Sequence, residues 1–246
     1  MGDTSLESRL NSNELYSTND LNEWIRSFVT INPGDRVLDV CCGTGKQIRM
    51  YSEMAGETGE VHGIDVSVNY LIQISKWKAT NVSLHCLKME DILEDYFVWG
   101  SLDWVICTYG LYYSENPEKT LSDLKVMLKP DGHLCIIGPA RDNNKEFFDL
   151  INSLSKIPDH VLFSSDGFMD EIVLPNCERL FNWGEVYNFH NEVSYPDIDS
   201  LLDYWKSTTY YNAEILPKLE IILKNHFEKN GKYTIKKEAM GVKCWD

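Results

Sequence analysis

Short apolar runs alternate with amphipathic stretches over the first 140 residues. The runs are RVLDV at 36–40, EVHGID at 60–65, VSLHCL at 82–87, DWVICTY at 103–109 and HLCIIGP at 133–139. Between them lie GKQIRMYSEMAG, SVNYLIQISKWKAT and NPEKTLSDLKVMLKPDG. In the last of these Leu121, Leu124, Val126, Met127 and Leu128 recur at helical spacing, and Lys129-Pro130-Asp131-Gly132 ends the helix. Near-continuous apolar strands separated by helices predict an α/β protein with a doubly wound, mostly parallel sheet covered on both faces.

The flanks follow other rhythms. In NDLNEWIRSFVT the residues Leu21, Trp24, Ile25 and Phe28 share one helical face, so residues 1–30 read as an N-terminal helical lid. After residue 140, NKEFFDLINSLSKI, FMDEIVLPNCERLF, DIDSLLDYWKST and LPKLEIILKNHFEKNG read as helices. EVYNFHNEVSY and KYTIKKEAMGVKC read as strands, which brings the sheet to seven. The expected organisation is a lid over 1–30, a Rossmann-like core over 31–139, and a helical cap with closing strands over 140–246.

Composition narrows the classes. Hydrophobic residues make up 43% of the 246 and aromatics 12%, enough for a large core. A formal net charge of −15 argues against an extended phosphate backbone as partner, so no nucleic acid is expected. The acidic balance suits a neutral or cationic small-molecule ligand. No apolar run approaches the roughly 20 residues of a membrane span, and MGDTSLESRLNSNEL lacks a basic-then-apolar signal pattern. The seven cysteines are scattered, with no C-x-x-C, which fits a reducing, cytoplasmic setting without a metal site. A monomer or a homodimer is equally compatible with the chain.

The candidate chemistry sits at VLDVCCGTGKQ, residues 37–47, where a glycine loop follows the first strand and opens a helix. Such a loop brings backbone N–H groups to a ligand at the topological switch point of the sheet. A phosphate-cradling loop fails because Gln47 replaces the hydroxyl residue after Lys46 and the loop is too short. A dinucleotide fingerprint fails because Ile48 stands where the third glycine belongs. What remains is D-x-x-x-G-x-G from Asp39 to Gly45, with a second acid, Asp65, ending the next strand. A carboxylate at that strand end accepts ribose hydroxyls. Asp39 stands where a cationic tail would want negative charge.

The segment from about residue 31 to 139 resembles the class I S-adenosylmethionine-dependent methyltransferases, in particular the small-molecule and quinone C-methyltransferases with a type 11 or type 25-like core. PGDRVLDVCCGTG looks like that family's first motif, VHGIDVS like its second, and LSDLKVMLKPDGHLCIIGP like the helix-turn-strand after the fourth strand. The resemblance implies S-adenosylmethionine as methyl donor and S-adenosylhomocysteine as product. It implies that Asp39, Cys41, Gly43 and Gly45 surround the methionine moiety, with Cys41 at a position usually glycine. Asp65 would hold the ribose and Val66 flank the adenine. At the adenine amine either Lys88 or Asp91 is placed, Lys88 by counting along the third strand and Asp91 by counting back from Asp103, with the connection 92–101 absorbing an insertion. Met89 would contact the ring, with Glu90 in polar contact or in a solvated turn. Thr108 and Tyr109 would line the pocket below the sulfonium.

On the acceptor side the candidates are Tyr109, Tyr112 and Tyr113 after the fourth strand, Tyr16 as a lid residue over the cofactor, and His190, Tyr195, Tyr204, Trp205 and Tyr210 in the cap. His190 and Tyr112 are the candidate catalytic bases; aromatic residues at helical spacing serve a core equally well. The expected activity is O-, N- or C-methylation of a small molecule, the aromatic-rich cap favouring a planar or hydrophobic acceptor. The rivals are a nicotinamide oxidoreductase and a non-catalytic cofactor-binding module.

Overall fold

The computed structural model of the chain describes residues 3–93 and 100–246. Residues 94–99, within the connection expected to absorb an insertion, lie outside the described residues. Two helices come first, α1 (Asp3–Tyr16) and α2 (Leu21–Arg26). The alternating region gives β1 (Arg36–Val40), α3 (Lys46–Ala55), β2 (Glu60–Asp65), α4 (Val68–Ser75), β3 (Val82–Cys86), β4 (Leu102–Thr108), α5 (Pro117–Val126) and β5 (Leu128–Pro139). Then follow α6 (Lys145–Leu154), α7 (Asp159–Asp166), α8 (Leu174–Leu180), β6 (Trp183–Tyr195), α9 (Ile198–Lys206), α10 (Leu216–Asn230) and β7 (Tyr233–Trp245).

The seven strands form one sheet in the order β3-β2-β1-β4-β5-β7-β6. β1 pairs in parallel with β2 and β4, β2 with β3, and β4 with β5. This is the doubly wound, Rossmann-like arrangement that the apolar runs predict. Strand order reverses between β1 and β4, where Val40 lies beside Cys107, so the loops leaving these two strands diverge and open a crevice. β5 starts five residues earlier than its apolar run. Leu128 pairs with Leu102 across an irregularity in register, so the Lys129–Gly132 turn is built into the strand.

The chain divides into two compact units. One contains residues 21–138, 168–188 and 240–246. Its core joins Ile25, Phe28 and Val29 to Val37, Val61, Ile106 and Ile137. α2 therefore belongs with the sheet, because its apolar face is used there, whereas the sequence pattern assigns it to the lid. The other unit contains residues 3–20, 139–167 and 189–239, and its core is built from Phe147, Ile151, Tyr195, Leu201, Trp205 and Leu219. Residues 168–188 and 240–246, expected within the cap, are counted with the sheet unit.

Candidate functional site

The loop between β1 and α3 is fixed by its own backbone and by the neighbouring strand. Cys42 N–H donates to the Ile64 carbonyl at 3.0 Å, and Gly45 N–H donates to the Cys42 carbonyl at 2.9 Å. Gly45 has φ +77°, and a Cβ there would lie 2.5 Å from Ile74 Cγ1 and 2.7 Å from Trp77 Cη2. No side chain fits that place. The missing third glycine of the dinucleotide fingerprint has a structural counterpart on β2. Ile48 is fully buried, and a Cβ on Gly63 would come 2.4 Å from its Cδ1. The strand thus supplies the small residue that lets α3 approach.

Cys41 stands in the left-handed region at φ +61°, and so does Tyr109 at φ +54°. A non-glycine residue pays about 1–2 kcal/mol there, so both strand ends carry strain. The two loops meet at Gly110, where a Cβ would lie 2.6 Å from Cys41 Cβ and 3.0 Å from Cys107 Sγ. Cys107 is pushed well up, first by its hydrogen bond with the Cys41 thiol and then by burial. Cys107 therefore acts as a protonated packing group beneath the loop.

Two acids close the crevice. Asp65 at the end of β2 accepts Gly43 N–H on Oδ2 at 2.8 Å and Ser67 N–H on Oδ1 at 2.8 Å. It therefore ties the glycine loop to the start of α4 and keeps lone pairs for further donors. Asp39 is 1% exposed, and its Oδ2 has no hydrogen-bond partner. Burial, and then the charge of Asp65, hold its carboxyl well above the usual carboxylate range. Tyr51 Oη and Thr108 Oγ1 are likewise buried, and the two hydroxyls face each other. Burial and then the Asp39 charge push the Tyr51 phenol up.

The remaining expected residues are spread out. Val66, after Asp65, is 67% exposed. Lys88 is exposed and extended, and it precedes the short 3-10 turn Met89–Asp91. Met89 is buried and Asp91 exposed. Glu90 Oε1 accepts Glu115 N–H at 3.1 Å, linking the end of β3 to the loop after β4. Tyr112 lies edge-on to Phe168, with centroids 6.1 Å apart. In the other unit Tyr16 packs on Tyr195 at 5.4 Å, and Tyr195 on Tyr204 at 5.5 Å. His190 there is 77% exposed at its side chain and is hydrogen-bonded through Nδ1 to Glu238. Trp205 is fully buried core.

The structure brings Asp39, Cys41, Gly43, Gly45, Asp65 and Thr108 to one crevice. Tyr51, Cys107 and Gly110 join them without any advance signal in the motif. Tyr51 had a faint one, being a phenol on the apolar face that Ile48 and Ala55 define, where a hydroxyl needs a partner. An acidic floor with one unpartnered carboxylate oxygen suits a cation, and the backbone-lined loop suits a ligand that approaches closely. The donor set fits S-adenosylmethionine, which carries both an ammonium and a sulfonium, and does not fit a pyrophosphate.

Fold and crevice thus define a Rossmann-like protein with an acidic, glycine-lined ligand site. The methyltransferase domain family matches residues 31–193, and the chain belongs to it. It is 29% identical over 151 residues to a 2-phytyl-1,4-naphtoquinone methyltransferase of Trichormus variabilis, covering 60% of this chain and 59% of the relative. It is 32% identical over 115 residues to a demethylmenaquinone methyltransferase of Listeria monocytogenes, covering 46% and 48%. The matches therefore span less than two thirds of the length of these curated relatives. In fold it is similar to a phosphoethanolamine N-methyltransferase of Haemonchus contortus bound to phosphomonomethylethanolamine and S-adenosylhomocysteine, with TM-score 0.60, 18% identity, and coverage of 99% of this chain and 57% of the other.

Proposed function

We propose that this protein is an enzyme that transfers a methyl group from S-adenosylmethionine to a small-molecule acceptor. The observation that carries this reading is Asp39 Oδ2, buried and unpartnered beside Asp65 at the switch point of the sheet. When bound, the cofactor supplies an electrophilic methyl group on a sulfonium, and the chain supplies binding, orientation and exclusion of water. Asp39 neutralises the cationic amino-acid end. The backbone of Cys41, Gly43 and Gly45 forms the wall against it. Asp65 accepts the ribose hydroxyls while its bond from Gly43 N–H holds the loop in place. Val66 and Met89 flank the adenine, with Lys88 or Asp91 at its edge. Thr108 and Tyr109 floor the pocket.

Tyr112 and His190 are the candidate bases. Removing a proton from the acceptor raises its nucleophilicity, and His190 is oriented by Glu238 for that task. The quinone methyltransferases among the relatives make a planar acceptor the first to try. The test is transfer of labelled methyl from S-adenosylmethionine across a panel of quinones, phenols and amines. Label should appear in at least one acceptor with the wild type and fall at least about tenfold with Asp65→Ala at subsaturating donor, a charged hydrogen bond being worth about 1.5–3 kcal/mol. Equal transfer by the variant would refute the ribose assignment. His190→Ala should slow turnover with little change in KM for the donor, and an unchanged rate would leave His190 a purely structural residue.

A further inference from the structure

On α1, Arg9, Ser12, Asn13 and Tyr16 stand at i, i+3, i+4 and i+7, one face of the helix. α1 packs against α9. A helix packed on a core normally turns an apolar stripe inward, yet this stripe is polar and meets Tyr195 and Tyr204, both buried. Ser12 Oγ donates to Tyr195 Oη at 3.5 Å, and Tyr16 lies on the Tyr195 ring. Lys237 reaches the same cluster from β7. Its Nζ donates to Tyr204 Oη at 2.6 Å and to Asn144 Oδ1 at 2.5 Å, and sits 4.4 Å from the Tyr204 ring centroid.

Two cations thus share one interior. The positive charge of Arg9 favours ionisation of the Tyr204 and Tyr210 phenols, against the stronger opposing effect of burial. Burial and then Arg9 lower Lys237 to about 7. Among the described residues neither Arg9 nor Lys237 forms an ion pair. Arg9 Nε and Asn13 Oδ1 are buried with no hydrogen-bond partner, whereas the buried Tyr210 hydroxyl faces those of Tyr204 and Thr208. Converging donors without a compensating carboxylate are unfavourable unless a ligand completes them.

We propose that Arg9 and Lys237 bind an anionic oxygen group, a carboxylate or a phosphate, on a small molecule. The guanidinium Nε–H and the remaining ammonium N–H are the donors such a group needs. Asn13 Oδ1 accepts from a hydroxyl or N–H elsewhere on the ligand, and the Tyr16 and Tyr195 rings offer it a face. This reverses the expectation drawn from net charge. The chain is acidic as a whole, but this interior is locally cationic. The inference stands on this unit alone and does not depend on the methyl-donor reading.

The test is titration of the full chain with inorganic phosphate and with benzoate, followed by thermal melting and calorimetry, against sodium chloride at matched ionic strength. Phosphate or benzoate should stabilise the protein saturably, and the better of the two identifies the anion class. Lys237→Met and Arg9→Gln should each weaken that binding at least about tenfold. Arg9→Lys, which keeps the charge, should retain more binding than Arg9→Gln and so guards against a folding artefact. No saturable effect of either anion beyond chloride would overturn the proposal, and so would equal affinity in wild type, Lys237→Met and Arg9→Gln.

Discussion

A carboxylate sealed from water beside another acid destabilises the fold until a cation neutralises it, and Asp39 is in that position. Its folded pKa is raised, so the folded state holds the proton more tightly than the unfolded chain. The penalty is absent below the ordinary carboxylate range and grows as pH rises through the raised value. Asp39→Asn should therefore melt higher than the unliganded wild type at neutral pH, with the margin shrinking as pH falls toward about 4. The same variant should bind S-adenosylhomocysteine at least about tenfold more weakly. Lys237 has the opposite sign. Its folded value of about 7 lies below that of a free lysine, so stability from this group rises with pH above 7. Arg9, Tyr204, Tyr210 and Asn144 are the groups that face it. The melting advantage of Lys237→Met over wild type should thus be larger at pH 6.5 than at pH 9. At this scale the sequence shows what a local motif contains. Asp39, Gly43, Gly45 and Asp65 are readable because strand-loop-strand spacing places them. Arg9 and Lys237 are not, because only the tertiary fold brings positions 228 residues apart into one electrostatic cluster.

Among the elements, the apolar runs mark β1 and β2 to the residue and β3 and β4 to within one. Buried parallel strands leave little ambiguity of that kind. The misses have identifiable causes. β5 absorbs a lysine-proline-aspartate-glycine turn whose residues locally signal a helix end. α7 has no apolar stripe to read, since only Ser165 of it is buried. α3 gives the sharpest test of element packing, because its Ile48 and the Gly63 of β2 occupy complementary space. Gly63→Ala should destabilise the protein by about 1–3 kcal/mol through overpacking. Combining it with Ile48→Val should recover part of that loss, measured by denaturant unfolding as a double-mutant cycle. Strict additivity of the two changes would mean that helix and strand do not meet at these atoms.

Across the whole molecule, the alternation of strands and helices made the doubly wound sheet legible, while the division into units was not. α2 reads as part of a lid, but its Ile25 belongs to the sheet core. Residues 168–188 and 240–246 likewise return to the sheet unit from sequence that reads as cap. Global charge misled in the same way, since −15 over the chain coexists with a cationic interior at Arg9 and Lys237. No helix among the described residues is long and apolar enough to cross a membrane. The function of the molecule turns on what the β1 crevice holds. The most direct measurement is isothermal calorimetry of the full chain with S-adenosylhomocysteine and, separately, with NAD. S-adenosylhomocysteine should bind saturably at one site per chain, weakened by Asp39→Asn and by Asp65→Ala, and NAD should not bind. Absence of S-adenosylhomocysteine binding, or binding of NAD in its place, would refute a methyl-donor site at this crevice.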